Sequence, residues 1–124
     1  MADLDDVHRI ALTLPSAEVE VRDDGKLAAS VDGKGFAWTW MERVHPRKRK
    51  VPNPDVLAVR VANAVEKEEL LAADGDRFFT EPHYNGFPAV LVRLADVDDD
   101  ELRELLTDGW RVQAPKQLVA DSGL

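Results

Sequence analysis

The sequence contains no cysteine. That excludes disulfides, thiolate-bound zinc, iron–sulfur clusters and a thiol nucleophile. It also lacks a long apolar run. The longest, such as residues 89–92, fall far short of the roughly 20 residues a membrane-spanning helix needs. The opening Met1-Ala2-Asp3-Leu4-Asp5-Asp6 has neither a basic n-region nor an apolar h-region, so no secretory signal is expected and a cytoplasmic address is predicted. No internal repeat, low-complexity tract or linker is visible. Aromatics are scarce, eight among 124 residues, so a core of this size needs most of them.

What is present suits one globular domain across residues 1–124, close to the usual domain size of about 150 residues. Hydrophobic residues make up 44% and charged residues 32%, which excludes a disordered acidic tail. The net charge is −8, from sixteen basic and twenty-four acidic residues, and it is unevenly spread. Residues 43–50 hold five basic residues and no acidic one, leaving eleven basic against twenty-four acidic elsewhere, a net of −13. Residues 96–108 hold seven acidic residues and one basic, Arg103. An acidic body with one basic loop has two readings: solvated surface that keeps the chain soluble, or a loop that meets a polyanion.

The hydrophobic spacing predicts a first helix over residues 3–13, with Leu4, Val7, Ala11 and Leu14 on one stripe, Asp3 and Asp6 capping it and Pro15 ending it. Val19 and Val21 alternate with charged residues in a first strand, and residues 27–31 form a second. Asp32-Gly33 signals a tight hairpin. A third strand over 34–41 is expected to put Phe36, Trp38 and Trp40 on one face. Residues 43–55 are expected to be irregular, because Pro46, Pro52 and Pro54 remove amide donors. A fourth strand carries Leu57, Val59 and Val61. Asn63 caps a second helix that ends near Gly75. A loop rich in aromatics and proline leads to a fifth strand over 89–94. Asp98 and Glu101 form a capping box for a third helix, with Leu102, Leu105, Leu106 and Trp110 facing the core. Pro115 opens a short C-terminal helix. The order α-β-β-β-β-α-β-α predicts an α+β fold: one antiparallel sheet of about five strands with helices on one face.

Few residues assemble into recognisable chemistry. His8, His45 and His83 have no metal-ligand spacing. Gly33-Lys34-Gly35 fails both phosphate-loop and dinucleotide patterns, since Gly35 stands where Ser or Thr is needed and Trp38 where the third glycine belongs. Phe36, Trp38 and Trp40 have the spacing of a base-stacking platform, but equally that of a buried sheet face, and they read as core. The carboxylates at 96–101 lack the glycine hinge of a calcium loop and are explained by helix capping.

Phe79-Thr80-Glu81-Pro82-His83-Tyr84-Asn85-Gly86, followed by a Val-rich strand to Leu94 and then residues 98–110, resembles the MmcQ/YjbR family. Gly33-Lys34-Gly35-Phe36-Ala37 and the helix ending Leu12-Thr13-Leu14-Pro15 match its earlier pattern, and Lys116 falls near a position where the family often has Lys. The resemblance implies a CyaY-like α+β domain, usually described as a small DNA-binding protein using wing-like hairpins, with no assigned catalytic residues.

On that basis Arg43, Arg47, Lys48, Arg49, Lys50 and Lys116 are the candidate nucleic-acid contacts, and duplex DNA is the expected partner. No enzymatic activity, cofactor, metal or membrane contact is expected. The basic 43–50 segment is a departure from the family pattern. The alternative is a protein-interaction or small-ligand module working through residues 43–50 or 82–88, with no DNA role. Iron binding by acidic residues, as in the frataxin relatives of the fold, is a third possibility. His83 and Tyr84 are the candidate pocket residues. One of them is expected to anchor its loop by a hydrogen bond to nearby backbone or to the opening helix.

Overall fold

A computed structural model describes all of residues 1–124. Helix α1 (Leu4–Ala11) begins with a capping box in which Asp3 and Asp6 serve each other's backbone amides, and it buries Val7, Ile10 and Ala11. Four strands follow, β1 (Ala17–Val21), β2 (Leu27–Val31), β3 (Lys34–Glu42) and β4 (Val51–Arg60). Helix α2 (Ala64–Ala73) leads to the two-residue strand β5 (Phe78–Phe79), a single helical turn at Pro82–Tyr84, and β6 (Ala89–Arg93). Helices α3 (Asp99–Gln113) and α4 (Lys116–Ser122) complete the chain. The six strands form one sheet in the order β1-β2-β3-β4-β6-β5, and every pairing is antiparallel. The expected fold class and element order hold. The strand missed is β5, too short to show any alternation.

The main core lies between one face of this sheet and the helices. It joins Leu27, Ala29, Val31, Phe36, Ala37, Leu57, Val59, Val90 and Val92 to Val7 and Ile10 of α1 and to Leu102, Leu106 and Trp110 of α3. The Trp110 indole donates to the Pro15 carbonyl at 2.9 Å, tying α3 to the end of α1. Gly109 lets α3 come close to the sheet: a Cβ there would meet the Phe36 and Arg60 carbonyl oxygens at 3.1 and 3.2 Å. At the β2–β3 turn Asp32 and Gly33 both have positive φ, 52° and 75°, as a type I′ hairpin requires.

Two irregularities in the β3 ladders overturn expectations. The first is a bulge: Ala37 pairs with Ala29 and Gly35 with Ser30, which leaves Phe36 as an extra residue in β3. An extra residue breaks the period of two. Phe36 and Ala37 therefore both enter the main core, and Thr39 follows them. Trp38 and Trp40 point the other way, and both are half-buried. The two tryptophans are thus not in the main core as the alternation suggested.

The second irregularity is in β4. Thr39 pairs with Leu57, but Trp40 pairs with Asn53, so residues 54–56 bulge out. Residues 51–55 are therefore strand, not irregular chain. Pro54 sits in the bulge, where no ladder amide is required, and Pro52 lies where β4 has a neighbour on one side only, since β6 pairs with it from Val56 onward. Both are positions a sheet tolerates for proline. The outcome is a two-stranded hairpin that runs on past the edge of the sheet and ends in residues 43–50.

Candidate nucleic-acid interface

The tip of this hairpin is ordered by its own bonds. The Lys48 amide donates to the His45 carbonyl at 3.0 Å. The Arg47 amide donates to His45 Nδ1 at 3.2 Å, and Arg43 Nη1 to the Lys48 carbonyl at 2.8 Å. Arg43, Arg47, Lys48 and Arg49 are exposed and Lys50 is half-buried. The ion pairs of this protein involve Arg9, Arg22, Arg77 and Arg111. None of the five tip cations has a carboxylate partner.

Lys116 does not join them. It starts α4 and borders a hollow with Asp32 and Lys34, at the opposite end of β3 from the tip. Eight strand steps separate Lys34 from Glu42, roughly 26 Å.

The 82–88 segment comes to the tip side. His83 shares a groove of about 200 Å³ with Arg43, Lys50 and Trp40, so two segments distant in sequence meet there. Tyr84 behaves differently. Its hydroxyl accepts the Trp38 indole N–H at 3.0 Å, and Phe87 packs edge-on against both rings, with centroids 6.2 and 6.1 Å away. The expected anchoring bond exists, but its partner is Trp38 on β3 rather than backbone or α1. This follows from the bulge that turned Trp38 to the outer face.

Lys67, which the sequence did not single out, fastens the same segment from α2. Its Nζ donates to the Tyr84 carbonyl and to the Phe87 carbonyl at 2.9 Å. The residue is only 7% exposed, and burial lowers its pKa below the usual lysine value. A lysine in a helix followed by Glu68 and Glu69 reads as solvated surface, so no sequence signal marks it. Arg77 closes the other end of α2, paired with Asp74 and with Glu101 of α3. The Arg77 backbone amide and guanidinium together hold the Asp74 carboxyl below its ordinary pKa.

The geometry is accompanied by clear relationships. The YjbR family model matches residues 12–112. The chain belongs to the YjbR family. Uncharacterized protein Mb2600 of Mycobacterium bovis and uncharacterized protein Rv2570 of Mycobacterium tuberculosis are each 39% identical to it over 125 aligned positions, covering 96% of this chain and 94% of each relative. Among solved structures, Deinococcus radiodurans protein DR2400, which carries the family-model domain DUF419, superposes with a TM-score of 0.65. The superposition covers 100% of this chain and 83% of that one at 24% identity, a likeness of fold. The YjbR match spans β1 through most of α3, so the β3–β4 hairpin and the 82–88 segment both lie within the family domain.

No helix is long and apolar enough to cross a membrane. No cluster of three or more metal-binding side chains is present, and Asp98, Asp99 and Glu101 are engaged in capping α3 and in pairs with Arg9 and Arg77.

Proposed function

We propose that this YjbR-family protein is a non-enzymatic nucleic-acid-binding protein that uses the β3–β4 hairpin as a wing against the phosphate backbone of duplex DNA. The observation that carries this reading is the set of five cations at the hairpin tip without carboxylate partners. Seven other basic residues of this chain of net charge −8 also lack a carboxylate partner, but they are dispersed along the sequence. These five are gathered within residues 43–50, on an internally bonded turn where the β3–β4 hairpin runs on beyond its pairing with β6. Phosphate contacts of this kind position a protein on DNA without reading its sequence, and they supply most of non-specific affinity.

The test is a duplex titration with the triple variant Arg47→Ser, Lys48→Ser, Arg49→Ser and, as a control, Lys116→Ser. The tip variant should weaken binding to all sequences alike. Lys116→Ser should leave it unchanged, because that residue stands at the far end of β3. Equal effects of the two variants would contradict the assignment of the tip.

A further inference from the structure

Helices cover one face of the sheet; the other has no helical layer. That open face holds a small cluster of Val56, Ala58 and Leu91, bordered by Trp38, Trp40, Phe79 and Tyr84. Two guanidinium groups lie over aromatic rings nearby. Arg93 is 4.1 Å from the Phe79 centroid and Arg60 is 5.5 Å from that of Phe87. Neither arginine is paired with a carboxylate.

The two tryptophans are not equivalent. Trp38 is held by Tyr84 and Phe87. Trp40 lies one step nearer the basic tip, edge-on to Phe79 at 5.8 Å. It borders the groove shared with Arg43, Lys50 and His83, where Glu42 and Glu81 also lie. Glu42 is occupied, accepting from the Asn53 side-chain amide at 2.9 Å.

Half-exposed aromatic rings on an open antiparallel sheet, with unpaired cations beside them, suit the two chemical parts of a single strand. Bases stack on the rings and phosphates meet the cations. A duplex keeps its base faces stacked inside and has no use for such rings. An apolar protein partner would bring no anion to Arg93, Arg43 and Lys50, of which Arg93 and Arg43 are met only by the Asp76 and Lys48 backbone carbonyls. We infer that the open face binds single-stranded nucleic acid, with a base stacking on Trp40 and phosphates meeting Arg93, Arg43 and Lys50. The inference rests on the reading of the tip as a phosphate-binding wing and adds to it a preference for unpaired strands, conferred by the open face.

The test is a titration of the full chain with a short oligothymidylate and with a duplex of equal length, followed by tryptophan fluorescence and by anisotropy of the labelled strand. The wild-type chain should prefer the single strand, with its tryptophan emission quenched on binding. Trp40→Leu, which removes the ring but keeps an apolar side chain, should weaken single-strand binding about tenfold and leave duplex binding unchanged. Arg93→Gln, at an exposed position, should weaken single-strand binding several-fold and keeps the test open should Trp40→Leu not fold. The tip variant should weaken both ligands. Wild-type single-strand affinity in folded Trp40→Leu or in Arg93→Gln, or binding without any change in tryptophan emission, would overturn the open-face site. In that case a tip variant that still weakens duplex binding would leave the wing intact. Failure of the wild-type chain to bind either ligand would overturn both.

Discussion

Lys67 carries a positive charge into a place where no carboxylate meets it. Its ammonium instead donates to two backbone carbonyls of the 82–88 segment, each of which also accepts a backbone amide, Tyr84 O from Phe87 and Phe87 O from Ala89. Lys67→Met keeps the stem and removes the donor. Each carbonyl then loses the charged one of its two donors, and stability should fall by about 1–3 kcal/mol, measured as a shift in urea midpoint. Hydrogen exchange at the Phe87 and Ala89 amides should quicken in the variant, since both donate within this segment. An unchanged midpoint would show that water replaces the lysine at no cost. The neighbouring strand offers a second contrast. Phe36 is fully buried, and Phe36→Ala should cost about 3–5 kcal/mol, as large core truncations do. Trp40 is half-buried on the open face, where the loss in Trp40→Leu is chiefly an edge-on aromatic contact worth about 1 kcal/mol. Equal losses at the two positions, read by denaturant titration, would contradict their placement on opposite faces.

At the scale of elements, the helices were legible because their ends carry their own chemistry. Asp3, Asn63 and Asp98 each accept a backbone amide three residues on, and these caps fix where α1, α2 and α3 begin. The Asp32-Gly33 turn was legible for the same reason. The strands were harder. Period-two alternation assumes an unbroken ladder, and the bulge at Phe36 breaks it, so the face of Trp38 and Trp40 could not be read from spacing. The prolines at 52 and 54 read as strand breakers because nothing local says that the neighbouring strand stops short of them. The basic tip was visible as composition, and its extension on a hairpin was not. Lys67 and the pairing of Tyr84 with Trp38 depend on contacts 17 and 46 residues apart, which no local pattern encodes. The element ends also set the response to acid. The Asp74 carboxyl has a folded pKa below its ordinary 3.8, held there by the Arg77 amide and guanidinium. Its contribution is therefore present above about pH 3.8 and is lost as pH falls through the lower folded value. Melting temperature measured between pH 5 and pH 2 should fall, and Asp74→Asn should fall less steeply over that window. A parallel curve for the variant would contradict the sign of the shift.

For the whole molecule, the separation of charge decides what can approach and where. An acidic body repels a polyanion beyond about 10 Å only at low salt, because the screening length is of that order at 0.1 M. The tip projects the opposite sign past the sheet, so approach is favourable from one side. The open sheet face is continuous with that side through the groove of Trp40, Arg43, Lys50 and His83, while α1 and α3, with most of the clustered carboxylates, lie behind the sheet. The fold thus gathers the basic tip and the half-exposed aromatics on one side, with Glu42 and Glu81 beside them, in a chain whose net charge conceals it. The most direct test is the salt dependence of DNA affinity. If the five tip cations each neutralise a phosphate, log affinity should fall against log salt with a slope of about −4.5 for the wild-type chain. The Arg47→Ser, Lys48→Ser, Arg49→Ser variant, with two of the five left, should show a slope of about −2. Identical slopes for the two proteins, or affinity that does not change with salt, would contradict the account.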